Sequence, residues 1–197
     1  YIFQIQIQIQ NSKFKIQKTM FVSEIIPNLW VCDYDVIKST YFNNRNIGLY
    51  IHIYSFQNEL TYNIQKKIGY NQDLINIQIK DINKNMRYSQ NPTIQRQTMR
   101  YSKDFAEHIY NNINLINETL KNRRGVVLFS KHGVQKAATV AAGYLILKGD
   151  MNANTSIKVM KSKEPLFFKN FEFENENSYD SYNVLYENVL KCIESYV

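Results

Sequence analysis

The sequence predicts an α/β fold in which a central, mostly parallel sheet is flanked by helices. Three observations lead there. Val126 to Phe129 is an unbroken apolar run, as a strand covered on both faces requires. A short loop with one glycine, Gly133, follows it, and then an Ala-rich helix over Val134 to Leu147. Upstream, Phe105, Ile109, Ile113, Ile116 and Leu120 recur at three- and four-residue steps between Lys103 and Lys121, which gives a helix with one apolar stripe to lay on a sheet.

In chain order, Gln and Ile alternate strictly from Gln4 to Gln10, so Ile5, Ile7 and Ile9 share one face of a strand and amides occupy the other. Two fates stay open for it: an edge strand on the chain's own sheet, or a strand added to a partner or a second copy. Lys13, Lys15 and Lys18 follow as charged gatekeepers against unwanted strand pairing. Residues 1–20 are read as an extension and 21–197 as the domain. Ile25 to Val31 and Ile47 to Ile53 read as strands, and Asp33 to Asn43 as a short helix with Tyr34, Ile37 and Tyr41 on one face. Leu60 to Ile68 reads as a helix and Leu74 to Ile79 as a strand. Asn83 to Tyr101 is a polar run carrying Arg87, Arg96 and Arg100.

Gly125 ends the turn before the central strand, Gly143 allows close helix packing, and Gly149 is expected to stop that helix. Asn152 or Asn154 caps the next one, which runs to about Lys163. Phe167, Phe168, Phe171 and Phe173 read as core. A last helix, within Tyr179 to Tyr196, carries Tyr182, Leu185, Val189 and Ile193 on its apolar face. His108 falls beside the stripe of its helix and reads as a surface residue.

The stretch VVLFSKHGVQKAAT, Val126 to Thr139, resembles the signature V-x-V-H-C-x-x-G-x-x-R-[ST] of the cysteine-dependent protein phosphatases, and most closely their dual-specificity branch. Three further segments carry the likeness. Glu24 to Cys32 is similar to the family's opening strand pair, I-x-P-x-L-[YF]-[LV]-G, with Cys32 in place of the glycine. Asn46 to Ile53 is similar to G-I-T-x-V-[IL]-N. Ile75 to Asp81 resembles the strand that delivers the family's general acid, which would put Asp81 at that position; the plainer reading of Asp81 is a turn residue at a strand end. The resemblance implies the cysteine-dependent phosphatase fold. It also makes residues 83–101 longer than the family's usual spacing, so this stretch reads as an insertion that reshapes the mouth of the site.

Within the signature, Phe129 stands where the family has His, Ser130 where it has the nucleophilic Cys, Lys136 where it has Arg and Ala137 where it has Ser or Thr; Gly133 and the apolar frame remain. The chemistry depends on those four. A thiol beside a helix N-terminus and cations ionises near neutrality, whereas a serine hydroxyl is far less acidic. Arginine grips two phosphate oxygens with a planar fork, while lysine supplies charge alone. Ala137 has no hydroxyl to assist a leaving group. Four coordinated departures imply an inactive member, a pseudophosphatase with no catalytic residue. Lys131, His132, Gly133 and Lys136 remain as a weak anion-binding set, since backbone N–H groups ahead of a helix favour negative charge.

Apolar residues make up 44% of the 197, with 15 Tyr and 11 Phe, enough for one globular domain with its own core. The net charge of +7 favours acidic partners, but the basic residues are scattered, so no nucleic-acid partner is expected. Cys32 and Cys192 lie far apart in sequence and form neither a metal spacing nor a disulfide framework; no metal or cofactor is expected, and a reducing compartment fits. No apolar run approaches the roughly 18 residues of a membrane span, so no membrane insertion is expected. Heavy use of Asn, Ile, Lys and Tyr resembles proteins of AT-rich protist genomes such as ciliates.

The expected function is a non-catalytic structural or scaffolding subunit that binds other proteins of a large assembly, such as a ciliary axoneme. It would be intracellular, cytoplasmic or cytoskeletal, with Ile5, Ile7, Ile9, Arg87, Arg96 and Arg100 as contacts. The alternative is a reader that binds phosphoproteins at the altered loop and shields their phosphosites.

Overall fold

The computed structural model describes residues 20–54, 60–69, 72–79, 91–131, 133–168 and 184–197. The Ile/Gln strand at 4–10, Asp81, Arg87, His132, Phe171, Phe173 and Tyr182 lie outside them.

Five strands form one sheet in the order β1-β2-β5-β3-β4. They are β1 (Val22–Ile26), β2 (Leu29–Asp33), β3 (Ile47–Tyr54), β4 (Asp73–Gln78) and β5 (Gly125–Ser130). β2, β5, β3 and β4 run parallel, and β1 returns antiparallel to β2. The expected mostly parallel sheet flanked by helices is therefore present.

The segment read along the chain as a strand from Ile25 to Val31 is a hairpin, in line with the opening strand pair that Glu24 to Cys32 resembles. It turns at Pro27–Asn28, where Asn28 takes a positive φ of 69° and donates its N–H to Glu24 Oε1 at 2.8 Å. Proline followed by asparagine is strong turn chemistry, and it overrode the apolar run on either side.

The parallel strands put alternate residues on opposite faces. Val126 and Leu128 of β5, with Leu29, Val31, Leu49, Ile51 and Ile53, face one core, completed by α3 (Pro92–Lys121), α4 (Lys136–Gly149), α5 (Ala153–Lys163) and α6 (Val184–Glu194). Val127 and Phe129, with Trp30, Cys32 and Tyr50, face the other, completed by α1 (Tyr34–Lys38) and α2 (Leu60–Ile68). Ile47 joins this second face because the pairing of β3 with β5 slips by one residue at Gly48, where a side chain would collide with Arg124 and Thr119.

Helix bounds differ from the sequence reading, and α4 starts at Lys136 rather than Val134. α3 begins at Pro92 rather than Lys103: Asn91 caps it by accepting from Thr93 N–H, and Pro92 sits in its first turn. The second half of the polar run is therefore helix, with its polarity turned to solvent. α1 stops at Lys38, where Ser39 becomes the C-cap, instead of continuing to Asn43. Gly149 lies inside α4, and Asp150 makes the left-handed turn that ends it (φ 52°).

Asn152 caps α5 as expected, accepting from Thr155 N–H at 2.8 Å. Gly143 packs α4 against α3 and α6, where a Cβ would lie 2.8 Å from Ile109 and 2.9 Å from Ile193. The α3 stripe is buried at Phe105, Ile109, Ile113 and Ile116 and partly buried at Leu120, and His108 is exposed. Phe167 and Phe168 are buried, as are Val189 and Ile193 of α6.

Candidate functional site

All the parallel strands end at one edge of the sheet, the end at which open α/β sheets hold ligands. β5 delivers Ser130 there, level with Asp33 at the end of β2. The chain then turns through Lys131 to Gln135 into α4. Ser130 is buried, and its Oγ accepts the N–H of Gly133 at 3.1 Å, closing the turn across its own mouth. Gly133 takes φ 71°, and any side chain there would strike the backbone of Cys32 and the ring of Phe21. That close approach explains why glycine occupies this position. The loop is held from outside as well: Phe168 N–H donates to Val134 O at 2.8 Å, and Phe167 meets Phe21 edge to face at 5.4 Å.

The cationic candidates sit at the rim. Lys131 is exposed, and Lys136 is half-buried as the first residue of α4, whose first turn carries no acidic side chain. Ala137 is fully buried in the helix packing. Thr139, one turn on, is also buried and donates its hydroxyl to Gln135 O at 2.9 Å. The structure thus brings Phe129, Ser130, Lys131, Gly133, Lys136 and Ala137 to one end of the sheet. Arg96 and Arg100 are exposed on the first half of α3.

Sequence reasoning missed what surrounds Phe129. Its ring, with no exposed surface, lies flat on His52 of β3, with centroids 4.8 Å apart and planes within 9°. On its other side His52 stacks on Tyr54 at 5.0 Å, and Tyr34 tilts toward it at 6.3 Å. His52 Nδ1 lies 3.3 Å from Asn76 Oδ1 of β4. Burial lowers the His52 pKa to about 4, against the upward pull of the Asn76 bond, so the ring is neutral near pH 7. The signal was available: His52 and Phe129 occupy paired positions once β3 and β5 are neighbours, and His52 falls where the strand motif ends in Asn.

Asp33 is a further buried polar group at this edge. Its carboxylate caps α1 by accepting from Val36 N–H at 3.0 Å and also accepts Phe21 N–H at 2.9 Å. Burial raises its pKa despite both bonds. The two cysteines are elsewhere. Cys32 is wholly buried in β2, where desolvation and then the Asp33 charge push its thiol well above the ordinary value, and Cys192 is half-buried on α6. Burial of this kind disfavours the thiolate. Among the described residues no group of three or more His, Cys, Asp or Glu side chains is placed to hold a metal ion, and no helix is long and apolar enough to cross a membrane.

Comparison with known proteins agrees with this geometry. The family described as dual specificity phosphatase, catalytic domain, matches residues 49–176, and the chain belongs to it. Solved structures of low identity share the fold. Human DUSP28 superposes with a TM-score of 0.60 at 11% identity, covering 89% of this chain and 94% of its own. A leucine rich repeat and phosphatase domain containing protein from Entamoeba histolytica gives 0.56 at 14%, covering 89% and 91%. The human tyrosine phosphatase-like serine/threonine/tyrosine-interacting protein gives 0.56 at 13%, covering 89% and 94%. No curated protein matches by sequence.

Proposed function

We propose that this chain is a non-catalytic member of the dual specificity phosphatase family, a pseudophosphatase that serves as a structural or scaffolding subunit through contacts with other proteins. One observation carries the reading: the loop after β5 presents Ser130, not a thiol, and the Ser130 hydroxyl is already engaged by Gly133 N–H. A nucleophile needs a low-pKa thiolate or an adjacent base to activate it. Cys32 is buried with its pKa raised, and His52 faces Phe129 and Tyr54 in a ring stack. Lys136, at the helix start, supplies charge without a bidentate fork. The aliphatic and aromatic cores survive because a scaffold still needs its shape. The exposed Arg96 and Arg100 offer contact points on α3, and Arg87 with the Ile/Gln strand are further ones. A large cytoskeletal assembly, such as a ciliary axoneme, is the proposed setting.

Two measurements test this. Purified protein should turn over an aryl phosphate no faster than a blank; turnover abolished by Ser130→Ala would overturn the reading. Fractionation of tagged protein from its native cells should leave it in a salt-resistant assembly at fixed stoichiometry.

A second reading, a phosphoprotein reader, draws on Lys131 and Lys136 flanking a helix start that lacks acidic residues. It requires binding of a phosphopeptide over its unphosphorylated twin, lost in Lys136→Ala. Equal binding of the two peptides would eliminate it.

A further inference from the structure

The two edges of the sheet are unequal. β1, at one edge, is bulged between Glu24 and Ile26, and α5 packs near it. Bulges of this kind blunt an edge against further pairing. β4, at the other edge, is in unbroken register with β3 from Asp73 to Gln78, and no described strand pairs with its outer side. Ile79 N–H donates to Tyr54 O, so by the alternation of a parallel ladder the N–H groups of Leu74, Asn76 and Gln78 point outward. The side chains of β4 alternate as well. Ile75 and Ile77 lie on the aliphatic face, where Ile75 is only partly covered, while Asn76 and Gln78 are exposed on the other. This Ile/amide pattern recurs in the chain at Ile5-Gln6-Ile7-Gln8-Ile9-Gln10.

We infer that residues 4–10 of the same chain occupy the outer edge of β4 as a sixth, parallel strand, extending the Ile75–Ile77 face with Ile5, Ile7 and Ile9 and an amide row beside Asn76 and Gln78. The bulge in β1 sets the edge, and the length of the connecting chain bears on the direction. Phe21 O accepts Asp33 N–H, so the chain enters β1 at the end of the sheet where β2, β5 and β4 finish. From there to the far side of β4 is five strand spacings, roughly 24 Å. The stretch from Gln10 to Met20 spans up to roughly 35 Å. The path is shortest when Gln10 lies at the same end as Gln78, which makes the added strand parallel to β4. Tethering then favours the chain's own strand over one from a second copy, because the local concentration of the tethered strand is of the order of millimolar. Pairing in this way would cover an edge whose open N–H and C=O groups otherwise invite aggregation.

Hydrogen exchange on the full chain tests the pairing, with Ile7→Pro as the variant, since proline inside a strand removes a ladder donor. The substitution lies outside the described domain, so the domain should fold. In the parent, the amides of Leu74, Asn76 and Gln78 should exchange at least about 10-fold more slowly than in Ile7→Pro, with both proteins monomeric by sedimentation. Equal exchange in the two proteins would overturn the inference. Protection that grows with protein concentration and accompanies a dimer would also overturn it, by showing a second copy as the occupant.

Discussion

On one face of the sheet Val126 and Leu128 meet aliphatic side chains from four helices; on the other Val127 and Phe129 meet rings and most of the buried titratable groups. Cys32 and Tyr50 sit in that second cluster, the Tyr50 hydroxyl pushed up to about 12, first by burial; His52 lies against Phe129, and Asp33 follows Cys32 at the loop end of β2. The aliphatic face is packed chiefly by apolar side chains. The aromatic face carries Cys32 and His52 close to the loop, and burial favours the neutral form of each. At the loop end of β5 the two faces therefore differ in kind: Phe129 packs against a stack of rings on one, and the helices cover the other with aliphatic side chains.

The strongest way to break the contrast is Phe129→Ala. It removes a fully buried ring and leaves His52 facing a cavity, and should cost about 3–5 kcal/mol in denaturant unfolding. A loss below about 1 kcal/mol would mean that the stack does not hold this face together.

Next comes pH. The His52 pKa falls from 6.5 to about 4 on folding, so between these values the unfolded chain binds the extra proton. Stability is therefore fully present above about pH 6.5 and declines as pH falls toward 4, by at most about 3 kcal/mol. Asp33 acts in the opposite direction: its raised pKa means that the folded state takes up its proton first, which recovers some stability on acidification. His52→Phe keeps a ring in the stack and removes the titration. Unfolding curves of this variant should lose the decline between pH 6.5 and 4, and an unchanged slope would assign the decline to other groups.

The aliphatic face is sharpened by Gly143→Ala. The new methyl would press on Ile109 and Ile193, both buried, and should cost about 1–3 kcal/mol despite alanine's higher helix propensity. A stabilised variant would show that α3 and α6 can move apart.

Much of this was legible in the sequence because the relevant signals are periodic. Val126 to Leu128, the α3 stripe and Asn152 each follow from spacing or capping chemistry that acts locally. Misplaced boundaries arose where a local signal competed with a pattern. Proline and asparagine at 27–28 split an apolar run, Asn91-Pro92 started a helix in a stretch too polar to show one, and Asp150 took a left-handed turn assigned to Gly149. At the site, the residues from Phe129 to Lys136 were visible as a contiguous motif. His52, Asp33 and Asn76 were not, because they reach the same edge on different strands, and only strand order brings them together.

The smallest expected effect bears most directly on the loop. If Ser130 braces the turn, Ser130→Ala removes the acceptor of Gly133 N–H in a buried position, and stability should fall by about 1 kcal/mol. Exchange of the Gly133 amide should speed up, and the turnover of aryl phosphate should stay at the blank. If Ser130 were instead a nucleophile, the same variant would lose turnover. One substitution therefore separates a residue kept for loop geometry from one kept for chemistry.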